Sequence, residues 1–325
     1  MMAESDSLDR RAVRIFFSAD LTGSTAFKQR QSPPVGHKIK PWLKVFEVFY
    51  GDFLSEFRRA IDGDHAIASE PEPRILKAIG DEVVLYAEVR KSACLQPMVK
   101  AFRKALTEYG NKLRADDGLG QGLGIKGACW LAGFPINNKA IPLRHAASSG
   151  IDFIGPSMDT GFRVSKAATE ERIAITVDLA LVLLAYQCPD VRFGGAHPLK
   201  GVLGGMPYPV FYLLMDRPVA RLYDKMEQVL VGRVGDVGKL EDFCREYIEV
   251  MKDTWLCVPY FDGDDSFSEP PEWHKEQIEL VERSRKEEAE VGDDRPESGA
   301  QDGSGEMRVL NLREKLGMPP RSEPT

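Results

Sequence analysis

The reading of Lys77-Ala78-Ile79-Gly80-Asp81-Glu82 decides the fold, because its Gly80-Asp81 lies between two apolar runs, Arg74 to Ile79 and Val83 to Tyr86. Two β-prone runs joined by Gly-Asp read as a tight antiparallel hairpin that carries an aspartate at its turn. A second aspartate follows another apolar run: Val13 to Phe17 gives way to Ser18-Ala19-Asp20-Leu21-Thr22-Gly23-Ser24-Thr25. If the two strands are neighbours, Asp20 and Asp81 meet at one sheet edge. Magnesium and manganese are hard cations that take oxygen ligands, and magnesium is commonly held by one or two carboxylates together with substrate phosphates. The pair therefore reads as a site for a metal and a nucleoside triphosphate. Taken singly, each aspartate reads equally well as a cap or an ordinary turn residue.

Outward from the hairpin, a polar, proline-containing loop runs to about residue 40. A helix follows from Pro41 through Phe46, Phe49, Tyr50, Phe53 and Phe57, apolar at helical spacing and opened by a proline suited to a first turn. After the hairpin, a second helix is expected from about Ser92 to Arg114 and a strand from Leu123 to Leu131. The order is βαββαβ. This predicts an α+β fold with a ferredoxin-like core, both helices on one face of an antiparallel sheet and the other face available. Helices at Pro156 to Thr169 and Val177 to Tyr186, with strands at Arg172 to Thr176 and Pro209 to Leu214, extend the same domain. We expect a catalytic region over residues 10–214, a helical extension over 215–281, and a tail over 282–325. The tail is rich in Glu, Arg, Asp, Gly, Ser and Pro and too polar to bury much surface, apart from a short helix near Val309 to Leu316.

The 325 residues, 43% of them hydrophobic, suffice for a full core. A net charge of -7 points away from the nucleic-acid backbone as the main partner and toward a small anionic ligand. Five scattered cysteines show neither metal-ligand pairs nor a disulfide scaffold, which fits free thiols in a reducing compartment. With no basic-then-apolar leader and no apolar stretch long enough to span a bilayer, a cytoplasmic protein without membrane partners is expected.

A third feature is Asp152-Phe153-Ile154-Gly155-Pro156-Ser157-Met158-Asp159-Thr160-Gly161-Phe162-Arg163, a loop entering a helix. Phe17-x-x-Asp20, Lys77-x-x-Gly80-Asp81, Leu123-Gly124-Ile125-Lys126-Gly127 and Asp152-x-x-Gly155-x-x-x-Asp159-x-x-x-Arg163 resemble, in order and spacing, the motifs of class III nucleotidyl cyclases. The resemblance covers roughly residues 10 to 214. Within that family the chain looks most similar to the divergent pyrimidine cyclases of bacterial antiphage defence, the Pycsar type. Diguanylate cyclases share a related sheet, but the Asp152 to Arg163 pattern belongs to class III.

The resemblance implies two divalent ions per site, Mn2+ or Mg2+, held by Asp20 and Asp81 with help from the backbone of Leu21. It implies base recognition by Lys77 and Asp152, stabilisation of transition-state charge by Arg163, and phosphate binding by Lys200. It further implies a homodimer whose two equivalent sites lie at the interface, so that Lys77 and Asp81 of one chain serve opposite sites. Two positions depart from the family pattern: Asp159 stands where an asparagine normally orients the ribose, and Gly161 where a small alanine is usual. An ionised carboxylate at Asp159 is acceptor-only and would sit near phosphate charge. The expected activity is cyclisation of a nucleoside triphosphate, UTP first, to the 3',5'-cyclic monophosphate and diphosphate. A catalytically silent, nucleotide-binding regulatory module and an adenylate or guanylate cyclase are the alternatives. Tyr50, the helix aromatic with a polar tip, is the expected contact for a pyrimidine edge.

Overall fold

The computed structural model describes residues 11–30, 41–67, 70–115, 122–145, 148–231 and 236–293. The expected helix near residues 309–316, and the tail beyond 293, lie outside them. Strand β1 (Ala12–Thr22), helices α1 (Ser24–Arg30) and α2 (Pro41–Asp62), the hairpin β2 (Arg74–Ile79) and β3 (Glu82–Val89), helix α3 (Leu95–Ala115) and strand β4 (Gly124–Phe134) give the βαββαβ core. The fold is α+β, as the sequence predicts. β1 is longer than the Val13–Phe17 run because it is paired on both sides: β3 and β4 flank it antiparallel through Asp20. The short helix α1 occupies part of what reads as a polar loop.

Alternation along β1 separates two cores. Phe17 points to the helices, its ring 4.8 Å from Phe57 of α2 and 5.0 Å from Phe102 of α3. Phe16 points the other way, stacked 5.6 Å from Trp130 and 5.3 Å from Phe153. Both phenylalanines are fully buried. Truncating either to alanine is worth about 3–5 kcal/mol of stability.

The second face is not left open as expected. Strands β5 (Lys139–His145) and β6 (Ser148–Ile154) form a separate two-stranded hairpin, and helix α4 (Pro156–Val164) follows it. Phe153 and Met158 bury against Phe16, Val84 and Trp130, with Phe162 packed alongside. The core then continues with β7 (Arg172–Ile175), α5 (Val177–Ala185), β8 (Val191–Pro198) and β9 (Pro207–Leu214), giving the sheet order β2-β3-β1-β4-β7-β9-β8. Only β4 and β7 pair in parallel among the described strands. Every residue of α5 from Val177 to Leu184 is buried, and all but Asp178 are apolar. Helices α6 (Pro218–Val231), α7 (Val237–Val250) and α8 (Glu272–Asp293) complete the described chain. The expected helical region from Asp216 to Val258 is thus two helices, and α8 runs on where a tail was expected from residue 282. The chain divides after Lys275, and the site lies in the first unit.

Candidate active site

The hairpin brings the two aspartates together through backbone pairing. Asp20 lies opposite Glu82 in the β1–β3 register, and the Leu21 N–H donates to the Asp81 carbonyl at 3.0 Å. That bond ties the turn to β1. Gly80 has φ +66, the left-handed conformation a tight turn needs and glycine accepts at no steric cost. The Ser24 hydroxyl, in the first turn of α1, donates to the Asp81 carboxylate, and the Ser18 hydroxyl donates to Glu82 at 2.6 Å.

The electrostatics follow from that crowding. Partial burial holds the Asp20 carboxyl above its ordinary value; Lys126 pulls it down, while Asp81 and Glu82 push it up. Lys126 Nζ stands 3.3 Å from the Asp20 carboxylate. Its position is a matter of register, since Lys126 is the β4 partner of Asp20. The sequence reading passed over Lys126, Glu82 and Ser24. The available signal was a single cation inside an apolar strand.

A divalent cation fits this donor set. The carboxylates repel one another, offer hard oxygens, and have one lysine among them for balance. No group of three or more His, Cys, Asp or Glu side chains converges as a cage among the described residues. An ion held by Asp20 and Asp81 would draw its remaining ligands from water and substrate oxygens, as magnesium sites on nucleotides do. It would displace the Lys126 ammonium from Asp20.

The other expected residues fall on separate elements. Lys77 reaches from β2 over the Phe162 ring, 4.2 Å from its centroid, where the cation meets the negative face of the π system. Asp152 sits half-buried on β6, its Oδ1 accepting from the Phe153 N–H at 2.9 Å. No hydrogen bond or ion pair joins Lys77 to Asp152 among the described residues. Asp159 and Arg163 are exposed on α4, and Lys200 is exposed in the turn between β8 and β9. Among the described residues no hydrogen bond or ion pair joins any of these to Asp20 or Asp81.

Tyr50 lies beside the β2–β3 turn. Its hydroxyl donates to the Gly80 carbonyl and its ring lies 5.8 Å from Phe49. The polar tip therefore braces the turn that carries Asp81. Gly161 also gains a reason, because a Cβ there would lie 2.3 Å from the Trp130 ring. The departure from alanine reflects an indole packed flat against the helix backbone.

No family model matches the sequence, and no curated protein matches it. Solved structures do resemble the chain. The adenylyl cyclase CyaB from P. aeruginosa is 16% identical over 64% of this chain and 97% of its own, with a TM-score of 0.46. The guanylyl cyclase Cya2 is 16% identical over 65% and 96%, with a TM-score of 0.45. The guanylate cyclase domain of RhGC from Catenaria anguillulae, in complex with GTP, is 11% identical over 63% and 98%, with a TM-score of 0.45. Similarity of this degree assigns neither activity nor substrate. Among the described residues no helix is long and apolar enough to cross a membrane.

Proposed function

We propose that the protein is a metal-dependent nucleotidyl cyclase of the class III type, acting as a symmetric homodimer. The observation that carries the reading is the Asp20–Asp81 pair, fixed at one sheet edge by the Leu21–Asp81 backbone bond and flanked by Glu82. In the reaction the ribose 3'-oxygen bonds to the α-phosphorus, the bond from that phosphorus to the bridging oxygen breaks, and diphosphate leaves with the electron pair. The hydroxyl proton passes to solvent. Divalent ions at this edge supply Lewis acidity toward the hydroxyl and the phosphates. Asp20 and Asp81 hold that charge in place, with the Leu21 backbone beside them, and the catalytic contribution of the protein is positioning and charge stabilisation. Lys77 and Asp152 read the base, Arg163 meets the charge on the transferring phosphorus, Asp159 faces the ribose, and Lys200 holds a phosphate oxygen.

Two observations favour completion of the site by a second copy. Among the described residues no hydrogen bond or ion pair joins Lys77, Asp152 or Arg163 to the aspartates of its own chain. Apolar side chains stand exposed on the same elements: Ile75 and Ile79 on β2, and Ile141, Leu143 and Ile154 on the β5–β6 hairpin. A two-fold interface uses the same patch on both partners.

For the base we take uracil first and cytosine second, on the motif resemblance to Pycsar cyclases, with cyclic UMP as a messenger in antiphage defence. The test incubates the protein with UTP, CTP, ATP and GTP in turn, with Mn2+, and identifies the products. Cyclic UMP as the main product is expected. Cyclic AMP or GMP without a cyclic pyrimidine overturns the base assignment. Absence of diphosphate from all four overturns the enzyme reading in favour of a silent nucleotide-binding module, for which the Lys126–Asp20 ion pair and Asp159 speak.

A further inference from the structure

A cavity of about 350 Å3 opens where β1 begins, at the far end of the sheet from Asp20. Seven residues of strand separate Val13 from Asp20, about 23 Å at the usual rise. The cavity falls within the range of small-molecule sites, and most of its wall is apolar, with Val13, Val89, Leu131, Phe134, Trp255 and Phe261 contributing. An ion pair between Arg11 and Asp262 stands at its rim.

Five charged side chains line the wall, Arg11, Glu88, Arg90, Asp178 and Asp262; Arg11 pairs with Asp262 and Glu88 with Arg14. Asp178, in the first turn of α5, is only 8% exposed. Its carboxylate accepts the Leu179 N–H at 3.0 Å, the Thr176 hydroxyl and its own backbone N–H favour its charged form further, and no lysine, arginine or histidine pairs with it among the described residues. A buried carboxylate without a counter-charge is costly. His274 does not supply one. Its ring lies between the Tyr260 hydroxyl at 3.1 Å and the Asn137 amide at 3.3 Å, and burial pushes its pKa down to about 4, so it is neutral near pH 7. With the amide nitrogen donating to Nε2, the ring proton is on Nδ1 and is given to Tyr260. The tyrosine keeps its own proton to donate.

We propose that this cavity is a binding site for a small aromatic amine, its ring system against Phe134, Trp255 and Phe261 and its ammonium group on Asp178. The cation supplies the missing counter-charge, and aromatic walls favour a cation further. The Asp178 carboxylate disfavours phosphate groups beside it, and the cavity lies at the opposite end of β1 from the Asp20–Asp81 edge. β1, β3 and β4 each contribute to the cavity and also run to that edge, which gives the ligand a direct mechanical connection to the hairpin.

The test measures binding of tryptamine by calorimetry, with indole-3-acetate as its charge-reversed counterpart. Tryptamine should bind with a Kd below about 1 mM, and indole-3-acetate at least about tenfold more weakly. Asp178→Asn should weaken tryptamine by about tenfold and bring the two ligands to within about threefold of each other. Gly133→Leu should abolish binding, since Gly133 lines the cavity and a Cβ there meets no atom within 4 Å, leaving room for the new side chain. No tryptamine binding, equal binding of the two ligands, or binding that survives Gly133→Leu overturns the proposal. The comparison of the two ligands on wild-type protein decides the charge preference even if one variant fails to fold.

Discussion

Replacing Asp178 by asparagine should stabilise the protein, and only above the pH at which the aspartate ionises. Burial raises the Asp178 pKa from the ordinary 3.8 to about 6. A raised carboxyl pKa means the folded state holds the proton more tightly than the unfolded chain does. The stability this group contributes is therefore fully present below pH 4, declines as the pH rises through 6, and is gone above it. The difference of about two pKa units corresponds to about 3 kcal/mol at 1.36 kcal/mol per unit. Asparagine keeps one oxygen to accept the Leu179 N–H and carries no charge, so it escapes that decline. Urea unfolding of wild type and variant at pH 4 and pH 8 reads the effect directly. Near-equal stability is expected at pH 4, with the variant ahead by about 3 kcal/mol at pH 8, about 4–5 °C in Tm for a chain of this size. Other titrating groups cancel in the difference between the two proteins. An offset that is the same at both pH values refutes the reasoning, because it assigns the effect to shape or hydrogen bonding and not to charge.

Asp20→Asn and Asp81→Asn should each reduce cyclase turnover below about one thousandth of wild type while far-ultraviolet circular dichroism stays unchanged, since each removes a charged ligand from a site that works by charge placement. Mixing Asp81→Ala chains with Arg163→Ala chains should restore partial activity, because one site of the heterodimer carries neither lesion; freely exchanging mixtures that stay inactive place the two residues in one site. Tyr50→Phe should cost about 1 kcal/mol through loss of its bond to the Gly80 carbonyl and should raise the Mn2+ concentration needed for activity without altering base preference. A changed product ratio would return Tyr50 to the base pocket. Gly161→Ala, which restores the residue usual in the family, should destabilise by about 1–3 kcal/mol in thermal melts because the new methyl meets the Trp130 ring; an unchanged Tm means that the indole has room to move.

The core was legible in the sequence because it rests on local periodicity. The apolar run of β1 and the helical spacing in α2 and α3 mark these elements without knowledge of any partner. The Gly80-Asp81 turn was legible for a similar reason, since the turn residues are named by the backbone conformation they must adopt. What escaped depends on pairing between distant segments. Lys126 meets Asp20 only in the observed β1–β4 register, and a slip of one residue would turn it to the opposite face. The β5–β6 hairpin was hidden by Pro142 within one strand and Ser148-Ser149-Gly150 within the other. β8 was hidden by Gly194-Gly195, where its register with β9 shifts. The two departures on α4 have physical reasons that the sequence did not offer. Gly161 answers to Trp130, thirty-one positions earlier in the chain. Asp159 lies exposed in the first helical turn, where the partial positive charge of the helix N-terminus favours a carboxylate over a neutral amide by about 0.3–1 kcal/mol. Both substitutions are thus accounted for by the helix that carries Arg163, and neither requires loss of the chemistry at Asp20 and Asp81.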